Sequence, residues 1–147
     1  MGLIADLGRG PVGADTALFI YLIEERSPFL SLIEPLFREA DEGRRELVTS
    51  AITLLEVLVV PYRAGNRPLA ERYEALLMRS RGVRVVDLSV DQLRAAAQLR
   101  ATFGVKTPDA LQIVAALTGG CTTFVTNDRR IPSIPGMRVL QLADYAK

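Results

Sequence analysis

The chain has 147 residues, of which 49% are hydrophobic and 24% are charged, a composition typical of an ordered globular protein with one core. The net charge is only +1, so overall charge predicts neither a nucleic acid nor a membrane surface as a partner. There is no histidine and one cysteine, Cys121. These counts exclude catalysis by histidine, zinc sites built from histidine or several cysteines, and an intramolecular disulfide.

The longest uninterrupted apolar run, Ala17 to Ile23, is too short to span a bilayer. No cationic segment of the signal-peptide type precedes this run, and a single cysteine suits a reducing compartment. We therefore expect a cytoplasmic protein with no membrane partner. We expect a single domain over residues 1–147, in which residues 1–11 form a flexible N-terminal lead.

Helical and strand-like segments alternate along the chain without a long linker or a repeat. In chain order, the pattern predicts a short segment at 11–14, helices at 16–25 and 28–43, a strand at 46–49, helices at 51–60 and 67–81, a strand at 83–88, helices at 89–103 and 107–118, and strands at 122–126 and 137–142. This order, with about five strands and five to seven helices, favours the α/β class. The predicted architecture is a three-layer αβα sandwich with a mostly parallel sheet.

Specific signals mark several of the predicted helix ends. Ser50 is a suitable N-cap for the apolar helix that follows it, and Pro61 is expected to end or kink that helix. Ser89 begins a sequence that resembles a capping box. Thr107 is expected to cap a helix whose first position is Pro108.

The string from Gly8 to Gly13 matches the G-x-G-x-x-G pattern of dinucleotide sites. Such a site needs a strand before the string and a helix that begins within it, so that helix amides face the pyrophosphate. Here Pro11 lies inside the string and Asp6 interrupts the apolar segment before it. We therefore interpret the string as part of the N-terminal lead.

Four carboxylates interrupt apolar sequence or follow predicted strands: Asp15, Glu56, Asp109 and Asp128. Three of them have ordinary structural explanations, since Asp15 can cap a helix, Asp109 can interact with a helix dipole, and Asp128 can form a turn. Glu56 is less ordinary because it is the one charge in the apolar segment ITLLEVLVV. It would need a proton, a cation, an arginine partner or a narrow exposed stripe.

The carboxyl ends of parallel strands meet at one edge of an α/β sheet, where binding crevices form. We therefore expect the four acids to converge on one cleft. Converged carboxylates repel one another and do not all ionise without a divalent cation. Because oxygen ligands favour hard ions, the pattern indicates Mg²⁺ or Mn²⁺ rather than zinc.

Four sequence elements occur in a specific order and spacing: Asp15-Thr16, Glu56 within a helix, Lys106-Thr-Pro-Asp109-Ala, and Thr126-Asn-Asp128. Together they resemble the PIN domain, and most of all the VapC-type toxin ribonucleases of VapBC toxin–antitoxin pairs. The resemblance covers roughly residues 12–142. It departs from the family pattern before Asp15, where Gly-Pro-Val-Gly-Ala replaces the usual aliphatic strand and about eleven residues come first.

The resemblance implies a parallel sheet between helices and hydrolysis of RNA phosphodiester bonds with one or two Mg²⁺ or Mn²⁺ ions. It implies that the catalytic and metal-binding residues are the four acids, Asp15, Glu56, Asp109 and Asp128. Thr126, and more weakly Thr16, match hydroxyl positions that support such a site. The expected products carry 5′-phosphate and 3′-hydroxyl ends, since a cyclic-phosphate route usually relies on histidine.

The resemblance also implies three partners: RNA, a cognate antitoxin that covers the cleft, and a second copy of the chain in a homodimer. An acidic cleft repels RNA, so cations are expected at its rim. Lys106, Arg129 and Arg130 adjoin two of the acids and are candidates to hold phosphates. Ordinary solvated surface charge explains these three residues equally well.

Two other functions fit parts of the pattern. A non-catalytic PIN-like module would bind RNA or a protein without cleavage, although it would have no need to retain all four acids. A phosphatase with an aspartate nucleophile would need a second aspartate two residues after Asp15, where this chain has Ala17.

Overall fold

The structure, a computed structural model, describes residues 2–146 and contains one five-stranded sheet in the order β3-β2-β1-β4-β5. The strands are β1 (Val12–Ala14), β2 (Leu47–Ser50), β3 (Val83–Val86), β4 (Thr123–Thr126) and β5 (Arg138–Gln141). Every pair of neighbouring strands is parallel. The predicted α/β class is confirmed, and the sheet is parallel throughout rather than mostly parallel.

Seven α-helices are present in the described part of the chain: α1 (Leu3–Leu7), α2 (Thr16–Ile23), α3 (Leu30–Asp41), α4 (Ile52–Arg63), α5 (Arg67–Arg79), α6 (Val90–Phe103) and α7 (Thr107–Thr118). A 3₁₀ turn at Leu142–Asp144 follows β5. Within residues 2–146, no helix combines the length and the apolar character needed to cross a lipid bilayer.

Alternating side chains divide the core between the two faces of the sheet. Leu47 and Val125 pack with the helices α1 to α5 on one face. Val48 and Phe124, one residue away in each strand, pack with α7 on the other face. This alternation is what the period of two residues in a strand dictates, and it produces the predicted three layers.

The N-terminal segment includes the helix α1 (Leu3–Leu7), which lies within residues 1–11, the predicted flexible lead; Met1 lies outside the described residues. Leu3 and Leu7 are each 3% exposed and join the main core, because helical spacing places them on one face of α1. Asp6, which interrupts the apolar pattern, accepts a hydrogen bond of 2.6 Å from the Tyr145 hydroxyl. The Asp6 carboxylate therefore has a hydrogen-bond partner and does not prevent α1 from packing on the core.

Helix ends follow the sequence signals with small shifts. Ser89 caps α6 as predicted, accepting a hydrogen bond of 3.1 Å from the next turn. Pro61 does not end α4, which continues for two residues to Arg63; the missing N–H of the proline removes a single helix hydrogen bond. Thr107 is the first residue of α7 rather than its cap, and the cap position, Lys106, makes no side-chain capping bond.

Gly13 explains why β1 lacks the aliphatic residues expected of a central strand. A Cβ atom at this position would lie 2.6 Å from the Cβ of Ala116 in α7 and 2.7 Å from Cδ1 of Phe124 in β4. Glycine therefore lets α7 pack directly on the centre of the sheet.

We expect Gly13→Ala to lower the free energy of unfolding by about 1–3 kcal/mol, because the added methyl group overpacks the contact between β1 and α7. Urea denaturation followed by circular dichroism measures this change. Gly2→Ala is the matched control, since a Cβ atom at Gly2 has no neighbour within 4 Å. Equal stability of the two variants would contradict the close-packing explanation.

Candidate active site

Two of the four acids follow neighbouring strands at the carboxyl edge of the sheet. Asp15 comes directly after β1, and Asp128 comes two residues after β4. The Asp15 amide donates to the carbonyl of Val125, with a distance of 3.2 Å. From β1 the chain proceeds to β2 and β3 on one side and later returns to β4 on the other. Asp15 and Asp128 therefore lie where the strand order reverses, the usual place for a crevice in such sheets.

The Thr126 hydroxyl connects these two acids. It donates a hydrogen bond of 2.5 Å to Oδ2 of Asp15 and accepts one of 3.0 Å from the backbone amide of Asp128. Asp15 occupies the N-cap position of α2 but makes no side-chain capping bond. Its carboxylate accepts from Thr126, and the backbone N–H groups of Thr16 and Ala17 at the start of α2 also favour its charged form, against the burial that raises its pKa.

Glu56 lies on α4 and faces the residue next to Asp15. Its Oε1 accepts a hydrogen bond of 2.6 Å from the Thr16 hydroxyl, and its side chain is partly buried. Among residues 2–146, no lysine or arginine forms an ion pair with Glu56. The buried pair with an arginine, one structural explanation for this residue, is therefore not what the structure contains.

Asp109 lies in the first turn of α7 and is electrostatically coupled to the other three acids. Burial raises its pKa, and the negative charges of Asp128, Asp15 and Glu56 raise it further, partly offset by Arg130. Burial also raises the pKa of Asp15, against the hydrogen bond from Thr126, and the charge of Asp128 adds to the increase. The acids that the sequence separates thus share one electrostatic environment.

Asp128 is held by a neighbouring arginine. Arg130 donates from Nε to Oδ1 at 3.0 Å and from Nη2 to Oδ2 at 2.8 Å, and its backbone amide also donates to Oδ1. These hydrogen bonds lower the pKa of Asp128, and the charge of Lys106 contributes. Of the three predicted rim cations, Arg130 and Lys106 therefore stabilise the charge of Asp128. The guanidinium of Arg129 instead pairs with Asp144 at 2.5 Å.

Comparison with known proteins identifies the family. The family model of the PIN domain matches residues 14–137, which include all four acids. The chain belongs to the PIN domain family. No curated protein matches this PIN domain in sequence.

Solved structures share the fold of this PIN domain. A toxin–antitoxin complex from Klebsiella pneumoniae has 20% identity and a TM-score of 0.61, over 90% of this chain and 97% of that one. VapBC2 from Rickettsia felis, bound to a DNA fragment from its promoter, has 16% identity and a TM-score of 0.64, over 90% and 98%. VapC20 from Mycobacterium tuberculosis, a toxin that cleaves the sarcin–ricin loop, has 17% identity and a TM-score of 0.62, over 78% and 86%.

The chemistry of the four acids suits a hard divalent cation, since each of them would offer carboxylate oxygens. The raised pKa values of Asp15 and Asp109 point the same way, because a cation would offset the charge that disfavours their ionisation. Within the described residues, however, no three acidic or cysteine side chains are already grouped as metal ligands. Both oxygens of Asp128 are turned to Arg130 instead, so binding by Asp128 would require that contact to adjust. The hydrogen bond from Thr16 engages only Oε1 of Glu56, so it need not be broken.

Sequence reasoning missed three buried polar residues beneath the acids: Thr49, Thr53 and Gln112. They are 0%, 0% and 2% exposed and hydrogen-bond with one another. One signal was present in the sequence, because Gln112 is a lone amide in the apolar helix that begins near Asp109, three residues earlier. A spacing of three residues places both side chains on the same face of α7.

We expect Asp109→Asn to raise the melting temperature of the metal-free PIN domain at pH 7. A carboxyl with a raised pKa in the folded state contributes stability below its ordinary pKa and loses it as pH rises through the folded pKa. Ionised Asp109 therefore costs stability at neutral pH, and an amide removes that cost. Thermal unfolding in a chelator measures the difference between variant and wild type, which should vanish near pH 3.

Asp91→Asn is the matched control, since Asp91 occupies the first turn of α6 with a side chain that is 93% exposed. It should give no gain at pH 7. If Asp109→Asn is no more stable than the wild type at pH 7, the proposed electrostatic coupling of the acids is wrong.

Proposed function

We propose that this PIN domain is a ribonuclease that depends on Mg²⁺ or Mn²⁺ and acts as the toxin of a type II toxin–antitoxin pair. Membership of the PIN family supports the proposal, as does the similar fold of VapC20, a toxin that cleaves RNA. We propose that it acts on RNA in the cytoplasm. The proposed catalytic residues are the four acids, Asp15, Glu56, Asp109 and Asp128.

One observation carries this proposal: short polar contacts link the segments that bear all four acids. Thr126 contacts both Asp15 and Asp128, and Thr16, next to Asp15, contacts Glu56. The residue that connects the fourth segment is Gln112, one turn after Asp109, which donates to the Thr16 hydroxyl at 3.1 Å. Carboxylates are rarely gathered from four remote segments without a task that offsets their repulsion.

We propose that Asp15, Asp109 and Glu56 hold the cation, with Asp128 as a further ligand or as the group that orients the attacking water. When bound, a divalent ion supplies Lewis acidity toward water and toward the phosphate oxygens. Thr126 orients the Asp15 carboxylate, and Thr16 orients Glu56.

RNA approaches an acidic surface, so its phosphates require cations at the rim. Lys106 and Arg130 are proposed to supply them, because both already act electrostatically on Asp128. The side chain of Arg130 is 68% exposed, and ion pairs of exposed side chains contribute little to stability. Arg130 can therefore exchange Asp128 for a phosphate at little cost. Arg129 is a weaker candidate, since Asp144 already engages its guanidinium.

An antitoxin and a second copy of the chain are the proposed protein partners. The structures from Klebsiella pneumoniae and Rickettsia felis are of a toxin–antitoxin complex and of VapBC2, respectively, and both share this fold. Apolar side chains are exposed along α4, including Leu55, Val60 and Tyr62. Such a surface is a plausible contact for either partner.

We expect the purified protein to cleave single-stranded RNA in Mg²⁺ or Mn²⁺ and to lose activity in a chelator. Asp15→Asn and Asp109→Asn should each lower kcat at least about 100-fold. Loss of a residue that only supports a metal ligand already costs up to about 100-fold, and loss of a ligand should cost at least as much. Asp91→Asn, in an exposed helix turn, should retain wild-type activity. Gel analysis of end-labelled RNA measures the rates and identifies the 5′-phosphate ends.

The same assay separates the alternative of a non-catalytic module. Binding of RNA with no cleavage in any divalent metal would favour that alternative and reject the ribonuclease. Cleavage that persists in a chelator, or that survives Asp15→Asn, would reject the metal-dependent mechanism.

We expect expression of the chain alone to arrest bacterial growth, and Asp109→Asn to relieve the arrest. Co-expression of a short neighbouring reading frame that encodes a DNA-binding protein should restore growth and give a co-purifying complex. Growth unaffected by an active ribonuclease would argue against the role of a toxin while leaving the enzymatic activity in place.

A further inference from the structure

A buried amide lies at the centre of the hydrogen bonds beneath the acids. Gln112 Nε2 donates to the hydroxyls of Thr53 at 2.7 Å and Thr16 at 3.1 Å. Its Oε1 accepts from the Thr49 hydroxyl and from the backbone amide of Ser50, each at 3.0 Å. The amide thus uses both of its donors and both of its acceptor positions, although it is only 2% exposed.

The direction of these hydrogen bonds is determined by the backbone. The Ser50 N–H can only donate, so it orients the carbonyl oxygen of Gln112 toward β2 and the NH₂ group toward Thr16 and Thr53. The Thr49 hydroxyl donates its one proton to Gln112. In the 2.7 Å contact between Thr49 and Thr53, Thr53 must therefore be the donor. Each buried hydroxyl proton therefore has one assigned acceptor.

The consequence reaches Glu56 through Thr16. The Thr16 hydroxyl accepts from Gln112 and has one proton to donate. Its two candidate acceptors are the Thr53 hydroxyl at 3.1 Å and Oε1 of Glu56 at 2.6 Å, and the nearer, charged carboxylate takes the proton. Thr16 lies 8% exposed, so water competes little for this proton. A side chain on α7 thereby controls the orientation of a carboxylate on α4.

We propose, on the basis of the ribonuclease function above, that Gln112 is a positioning residue that aims the Thr16 hydroxyl at Glu56 and so holds that carboxylate ready for the cation. Gln112 touches neither the cation nor the RNA. Because it lies one turn from Asp109, it couples the placement of two acids from different helices. Such supporting contacts typically change metal affinity by about 10–100-fold.

Gln112→Met tests this role because methionine keeps the length of the side chain and removes every hydrogen bond. We expect the Kd for Mn²⁺, measured by isothermal titration calorimetry on metal-free protein, to rise about 10–100-fold. We also expect kcat for RNA to fall while KM changes little, because the proposed RNA contacts lie on the rim. The measurements are made at a temperature where circular dichroism shows the variant folded.

Gln92→Met is the matched control. Gln92 is likewise a buried glutamine, 9% exposed, and its Nε2 donates at 2.6 Å to Thr118 at the far end of α7. Its loss should lower the melting temperature without changing the Mn²⁺ affinity. A Gln112→Met protein that binds Mn²⁺ and turns over RNA as Gln92→Met does would overturn the positioning role.

Thr16→Val and Thr16→Ser provide a second test that does not depend on Gln112→Met folding. Thr16→Val should weaken Mn²⁺ binding, and Thr16→Ser, which keeps the hydroxyl, should restore most of the affinity. In the double variant, Thr16→Val should add little to Gln112→Met, because both remove the same contact. Fully additive losses would overturn the proposal. If the wild type itself neither binds Mn²⁺ nor cleaves RNA, the proposed function fails instead.

Discussion

The rest of this structure depends on one constraint: four carboxylates that repel one another lie in the same region of the fold. The acids are brought together at one edge of the sheet, where burial and mutual repulsion raise the pKa of Asp15 and Asp109. Hydroxyl groups of Thr126 and Thr16 and the guanidinium of Arg130 each satisfy one of the carboxylates. The fold tolerates the cluster because nearly every carboxylate has a donor that holds it in place.

The fold creates this arrangement by close packing at its centre. Gly13 has no side chain, so α7 reaches the middle strand, and small residues such as Ala116 complete the contact. The N-terminal turn of α7 carries Asp109, whose pKa is raised by burial and by the charges of Asp128 and Asp15 at the carboxyl ends of β4 and β1. A bulkier central strand would hold the helix away and separate the acid on α7 from those at the ends of the strands.

The two sides of the acidic cluster differ in how firmly they are held. On the outer side, the Arg130 side chain is 68% exposed and pairs with Asp128, a contact that a phosphate or a cation would replace in the proposed function. On the inner side, Gln112 is buried with every hydrogen-bonding position satisfied, and its contacts lead to Glu56 through Thr16. In the proposed ribonuclease, the exposed contacts of Arg130 would exchange ligands while the buried hydrogen bonds of Gln112 keep the shape of the site.

The sequence by itself determined the α/β class, most element boundaries and the four unusual acids. These depend on local information: hydrophobic periodicity, capping residues such as Ser89, and a lone charge such as Glu56 in an apolar helix. The membership of α1 in the core was missed because Asp6 obscured the short apolar pattern, and its partner Tyr145 lies at the other end of the chain.

Only the tertiary structure decided which groups contact the acids. Thr126 and Asp15 are 111 residues apart, and Gln112 and Thr16 are 96 residues apart. The order of the strands and the packing of α7 on β1 bring these residues together. Local periodicity in the sequence encodes neither of them. The direction of each hydrogen bond then follows from which backbone donor happens to be near, a property that exists only once the chain has folded.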